Sequence, residues 1–141
     1  MNDKKKIIQD FIKKHTICTL ATVSPKRKPE AAIIEFVGTE NLELIFDTFS
    51  TYRKYQNLQA SPFVAVVIGW DENITVQYEG EAQELSGEEL KKYQDIYFAK
   101  NPDARKWQKF GEITYFKVRP KWIRYRDGNT EPMTIFEMRD F

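Results

Sequence analysis

One cysteine and one histidine in 141 residues are too few for a disulfide, for a zinc site of thiolates and imidazoles, or for a triad with a convincing partner. A lone Cys18 predicts a reducing compartment. An excess of charge is missing too. Twenty-two Lys and Arg against 21 Asp and Glu leave a formal net charge of +1, which gives no global pull toward nucleic acid or anionic membrane. No apolar run approaches the roughly 18 residues that cross a bilayer. Residues 1–6 are basic, but Ile7, Ile8, Phe11 and Ile12 run at once into Lys13 and Lys14, so no signal-peptide core is expected. Repeats, low-complexity tracts and linkers are absent. These absences predict a cytoplasmic chain with no membrane or nucleic-acid partner. At 16.7 kDa it is expected to form one domain over residues 1–141.

What is present is a succession of strand-like segments. Ile7, Ile8, Phe11 and Ile12 recur at helical spacing and predict an amphipathic helix over 3–14. Residues 17–23 are rich in β-branched side chains and end at the turn Ser24-Pro25. Strands follow at 30–37 and 42–47. Residues 63–69 are apolar at nearly every position, the pattern of a strand covered on both faces. A long strand spans 74–85, and Gly80 inside it marks a bulge or sharp bend. Ser86-Gly87-Glu88-Glu89 reads as a capping box opening a helix that carries Leu90, Tyr93, Ile96 and Tyr97. Pro102 opens a further helix that Gly111 stops. Strands at 113–118, 122–125 and 133–138 close the chain. Six or seven strands, mostly adjacent in sequence, with three or four short helices predict a mainly β fold, an antiparallel barrel rather than βαβ units.

The informative stretch is Phe46-Asp47-Thr48-Phe49-Ser50-Thr51-Tyr52-Arg53-Lys54. A strand ends near Asp47, and Ser50 or Thr51 is a good N-cap for a helix after it. Helix starts attract anions. Arg53 and Lys54 in the first turn are unfavourable for the helix itself, and a bound phosphate explains them: Arg grips it with a fork and Lys adds a point charge. The hydroxyls of Thr48, Ser50 and Thr51 add donors. Read locally, surface charges on a short linking helix are the simpler account of the pair.

Four blocks decide between these readings. They are Leu20-Ala21-Thr22-Val23 with Lys28-Pro29, the stretch from Phe46 to Lys54, Ser61-Pro62-Phe63-Val64-Ala65-Val66-Val67-Ile68 with Gly69-Trp70, and Val76-Gln77-Tyr78-Glu79-Gly80-Glu81-Ala82. In order and spacing the chain resembles the pyridoxamine 5′-phosphate oxidase-like family, the FMN-binding split barrels, including its small general-stress-protein members. The resemblance implies an FMN-dependent oxidoreductase acting on a small molecule, working as a homodimer with flavin in the cleft between protomers. Arg53 and Lys54 would hold the phosphate, and Asp47 and Thr48 would lie near the ribityl chain or phosphate. Ala32, Ile33, Ile34, Glu35 and Phe36 would run beside the isoalloxazine ring, and Thr75 falls where the oxidases place a Gln on the flavin.

The chain also departs from the oxidases. Their Arg and Lys on the strand holding Ala32 and Val37 are replaced by neutral residues, and Asn101 stands where an Arg for substrate phosphate is expected. The Arg- and His-rich tail is absent, and Tyr52 replaces a small hydroxyl residue. Pyridoxal 5′-phosphate synthesis is therefore not expected. His15 reads as a helix-end residue and Cys18 as a small buried hydrophobe. Trp70, Trp107 and Trp122 read as core or dimer contacts, with Trp122 or Tyr125 beside the flavin as the alternative. Two other functions stay open: a non-enzymatic flavin- or haem-binding protein, and an oligonucleotide-binding barrel using Lys121, Arg124 and Arg126.

Overall fold

The computed structural model describes residues 3–141; Met1 and Asn2, part of the basic start, lie outside the described residues. The chain runs α1 (Asp3–Lys13), β1 (Ile17–Val23), β2 (Pro29–Glu35), β3 (Val37–Gly38), β4 (Leu44–Phe49), α2 (Arg53–Ala60), β5 (Phe63–Ile68), β6 (Ile74–Glu84), α3 (Gly87–Lys100), a 3₁₀ helix (Pro102–Phe110), β7 (Ile113–Asp127) and β8 (Thr134–Met138). All the strand pairs are antiparallel. The sheet order is β2-β1-β5-β6-β7-β4-β3, with β8 on β7. The two end strands, β2 and β3, are consecutive in the chain and separated only by Phe36. The sheet must therefore curl to bring its ends together. Beyond Phe36, β2 and β4 touch without pairing, and the gap between them is the split of a split barrel.

Alternation along each strand fills the inside. Leu20, Ile34, Phe36, Phe46, Val66, Tyr78, Phe116 and Ile123 form the barrel core, joined by Ile8, Phe11 and Ile12 of α1. The opposite face of β3, β4 and β7 carries Val37, Ile45 and Tyr115, which pack under Tyr93, Tyr97 and Phe98 of α3. Period-2 alternation then directs Asp47, two residues after Ile45, toward α3, and Thr48 into the barrel.

Four local expectations change. The segments 113–118 and 122–125 form one strand of 15 residues. Pro120 is tolerated inside it because the β6–β7 register shifts at Glu79/Gly80. Glycine is required there: a Cβ on Gly80 would fall 2.3 Å from the Arg119 carbonyl oxygen. Second, α2 starts at Arg53 rather than at Ser50 or Thr51, because β4 continues to Phe49 and the Ser50 and Tyr52 amides bond to Glu112 and Phe49 carbonyls. Third, Ser86 is the N-cap of α3 but makes no capping bond. Glu89 binds Lys117 Nζ at 2.7 Å instead, and Gly87 adopts a left-handed φ of +63°. Fourth, the chain covers only one face of β5: Phe63 is 61% exposed and Ala65 is exposed beside it. Among the described residues no helix is long and apolar enough to cross a membrane.

Candidate functional site

The end of β4 and the start of α2 meet β2 at the split, and two hollows open there. The first, about 360 Å³, is lined by Leu20, Thr22, Glu30, Ala31, Ala32, Thr51, Tyr52, Arg53 and Lys54. The second, about 300 Å³, is lined by Ile33, Ile34, Glu35, Asp47, Thr48, Phe49, Tyr52, Lys54, Trp107 and Ile113. Tyr52 and Lys54 belong to both, so the hollows share a wall and run side by side along β2.

Arg53 projects into solvent and pairs with Glu30, Nη1 to Oε2 at 3.4 Å. The other Glu30 oxygen accepts from Asn57 Nδ2 at 2.8 Å, and the same amide reaches Thr22 Oγ1 at 2.9 Å. Thr22 and Glu30 stand opposite each other in the β1–β2 register, and Asn57 lies one turn after Arg53 on α2. This network ties α2 to the first hairpin and fixes where Arg53 starts. Lys54 is half-buried, lies 5.2 Å from the Tyr52 ring centroid and makes no salt bridge among the described residues. Burial lowers its pKa, Asp47 opposes that and Arg53 adds to it. A partly desolvated cation without a paired carboxylate favours an incoming anion.

The second hollow has an aromatic rim. Phe49 contacts Tyr52 and Trp107 edge-on, with ring centroids 5.4 and 5.9 Å apart. Asp47 and Thr48 bring polar side chains to the hollow, and Tyr97 and Tyr115 pack near Asp47. Asp47 Oδ2, Thr48 Oγ1, Tyr97 OH and Tyr115 OH are buried without a hydrogen-bond partner. Burial, with Glu35 adding to it, raises the Asp47 carboxyl from 3.8 to about 6, against the lowering influence of Tyr97 and Lys54. The Tyr97 hydroxyl is pushed far up, first by burial and then by Asp47 and Glu35.

A raised carboxyl favours the folded state while it is protonated. Its stabilising contribution is present below about pH 4 and is lost as pH rises toward 6. Asp47→Asn therefore stabilises the ligand-free chain at pH 8 by up to about 3 kcal/mol, two units at about 1.36 kcal/mol each, with no such gain at pH 4. Denaturant unfolding of both proteins at the two pH values measures this; an equal difference at both would contradict it.

The structure thus brings Arg53, Lys54 and Ala32 around one hollow and Ile33, Ile34, Glu35, Asp47 and Thr48 around the next. Phe36 is fully buried in the core, with its carbonyl accepting from Asn101 Nδ2 at 3.4 Å. Thr75 pairs with Arg126 and lines neither hollow. Glu30 and Trp107 join the site unannounced by local sequence, beside Phe49 and Tyr52 of the informative stretch. Glu30 becomes visible only through the register that sets it against Thr22. His15 lines neither hollow; its Nδ1 donates to the Phe11 carbonyl at 2.8 Å, as a helix-end residue does. Cys18 is buried and its thiol is raised to about 12 by burial. Trp122 donates to Glu137 at 2.9 Å, and Tyr125 stacks on Phe136 at 5.1 Å. Lys121 and Arg124 pair with Glu81 and Glu137, which Arg119 and Arg139 also share. Among the described residues no cluster of three metal ligands occurs.

A family model described as pyridoxamine 5′-phosphate oxidase matches residues 5–127. A pyridoxine/pyridoxamine 5′-phosphate oxidase of Paraburkholderia xenovorans is 35% identical over 85 residues, 60% of this chain and 38% of that protein. The match therefore spans less than half of the relative's length. Among solved structures, general stress protein 26 of Bacillus anthracis aligns with a TM-score of 0.72 at 22% identity, covering 88% of this chain and 94% of that one. A pyridoxamine 5′-phosphate oxidase-related, FMN-binding protein of Nostoc punctiforme aligns at 0.72 and 13% identity over 100% and 98%. A heme-binding protein of Mycobacterium smegmatis aligns at 0.80 and 16% identity over 96% and 58%. At these identities the structures share the fold.

Proposed function

Because the chain belongs to the pyridoxamine 5′-phosphate oxidase family, we propose that it is a cytoplasmic FMN-binding flavoprotein, an oxidoreductase for a small molecule. The observation that carries this reading is the pair of adjoining hollows sharing Lys54, one walled by cations and the other by aromatic and aliphatic side chains. That is the division a phosphate on a planar ring requires. Arg53 and Lys54 hold the phosphate. Thr48 and Asp47 flank the ribityl chain, and Ala32, Ile33, Ile34 and Glu35 run along the ring. Bound FMN supplies the redox chemistry, and the chain supplies binding, orientation and electrostatics. Haem is the second reading in this fold, but the only histidine is turned to the end of α1.

The protein works as a homodimer. Ala31, Ile33, Ala21, Phe63 and Ala65 form an apolar outer face across β2, β1 and β5 that the chain leaves uncovered, and a shallow hollow of about 420 Å³ lies on it. A second copy covers this face. Thr75 and Phe36 then differ: Thr75 reaches flavin only across such a dimer, whereas Phe36 supports β2 from inside the core.

Titration of the protein with FMN is expected to quench flavin fluorescence with about one site per chain, because each chain holds one Arg53-Lys54 pair, and light scattering is expected to give twice 16.7 kDa. Absence of quenching at high micromolar protein, with no flavin band after purification, would defeat the reading.

A further inference from the structure

We propose that Asp47 is the proton-exchanging residue of the split, trading a proton between its carboxyl and a small planar acceptor held at the Phe49 and Trp107 rim, beside the flavin ring that the hollow takes. The proposal rests on the flavin reading above and adds the group that handles protons.

The placement of the carboxyl is the first argument. It lines the aromatic hollow, yet its Oδ2 is buried and has no hydrogen-bond partner. Two tyrosines stand behind it: Tyr97 from α3, fully buried, whose hydroxyl is near enough to lower the Asp47 carboxyl, and Tyr115, which faces Asp47 across the β4–β7 register. A structural carboxylate would be paired or fully hydrogen-bonded. Oδ2 of this one makes no bond of ordinary geometry although the residue lines the hollow, so a ligand seated there supplies the missing contact.

The charged surroundings are the second argument. The groups facing Asp47 are Glu35 from β2, Lys54 from α2, Tyr97 from α3 and Tyr115 from β7. Burial and Glu35 favour the neutral acid; Tyr97 and Lys54 favour the carboxylate. The opposing influences leave both forms accessible near neutral pH, as a general acid requires. Tyr97 keeps its proton throughout, so a neutral hydroxyl stands beside the carboxylate left after transfer.

The chemistry then balances. Bound FMN would supply the hydride equivalent, and an acceptor such as a quinone, reduced at one oxygen, would need a proton at the other. The Asp47 O–H bond breaks, its electron pair stays on the carboxylate, and an O–H bond forms on the acceptor. Water entering from the open mouth of the split returns the proton to Asp47. Aromatic walls fit a planar acceptor, and no cation other than Lys54 lines this hollow.

The test uses FMN-saturated wild-type protein, Asp47→Asn and Tyr97→Phe, reduced with dithionite and mixed anaerobically with 1,4-naphthoquinone. Wild-type reoxidation should slow as pH rises from about 5 to 8, following a single ionisation. The ¹³C resonance of the Asp47 carboxyl in the ligand-free chain should follow the same ionisation. Asp47→Asn should slow reoxidation by roughly 10²- to 10⁴-fold and flatten its pH profile. Tyr97→Phe should shift the profile to higher pH, through loss of its lowering influence. An unchanged rate and profile in Asp47→Asn, or an Asp47 carboxyl that titrates near 4, would overturn the proposal and leave the flavin reading standing. Failure of the wild-type chain to take up FMN would overturn the flavin reading, and this proposal with it.

Discussion

Replacing Arg53 and Lys54 together by alanine is expected to lower FMN affinity by roughly 10²- to 10⁴-fold while leaving riboflavin affinity nearly unchanged. A charge-assisted hydrogen bond contributes about 1.5–3 kcal/mol, and about 1.4 kcal/mol is a decade. The two side chains do not contribute alike. Arg53 is largely exposed and already engaged by Glu30, so phosphate must share its fork, and its own substitution should fall at the low end. Lys54 is partly desolvated without a salt bridge, so a phosphate relieves an existing cost, and its substitution should fall at the high end. The fold should survive, because neither side chain belongs to either hydrophobic cluster. Paired titrations with FMN and riboflavin measure the phosphate contribution directly. An unchanged FMN dissociation constant in the double variant would return both residues to the solvated surface.

The parts of this site that sequence made legible are those set by local chemistry. Residues 17–23 alternate and end at Ser24-Pro25, and β1 ends there. Gly80 marks the shift in register because only a residue without a Cβ lets the Arg119 carbonyl approach. Arg53 and Lys54 stand out because cations in a first helical turn are locally unfavourable. What sequence left obscure depends on contacts between distant segments. The capping box at Ser86 is locally complete, but Lys117, 28 residues beyond Glu89, takes its carboxylate. The segments flanking Pro120 look like two strands until pairing with β6 runs through both, with Lys121 as the extra residue opposite Glu79/Gly80. Glu30 reaches Arg53 only through the hairpin register, and Asp47 becomes a buried acid only because α3 packs over that side of β4. The apolar run 63–69 carries a different lesson. Its composition calls for cover on two faces, and the chain provides one; the other is the surface a second copy would occupy.

Pyridoxine and pyridoxamine 5′-phosphate should be poor substrates of the FMN-loaded protein, although the matched relatives carry those names. Such a substrate brings a second phosphate, which needs its own cationic pocket beside the ring. The positions that the resemblance matches to that pocket are Val37 and Asn101. Val37 is buried beneath α3. Asn101 is only 8% exposed, and its amide is committed to the Phe36 carbonyl. Lys100, the nearest cation in sequence, donates to the His15 carbonyl and lies over the Phe36 ring, so it serves the barrel rather than a ligand. Losing two charge-assisted contacts costs about 3–6 kcal/mol of substrate binding, a factor of roughly 10² to 10⁴. The hollow that remains is closed by aromatic side chains and carries two carboxyls, Glu35 and Asp47, which repel a dianion. It suits a neutral or weakly charged planar molecule. The measurement is pyridoxal 5′-phosphate formation from both vitamers, run beside reduction of a neutral quinone. A kcat/KM of about 10⁴ M⁻¹s⁻¹ or more for either phosphorylated vitamer would mean that Asn101 or Lys100 leaves its backbone partner to bind phosphate, and that the split opens wider than its ligand-free geometry.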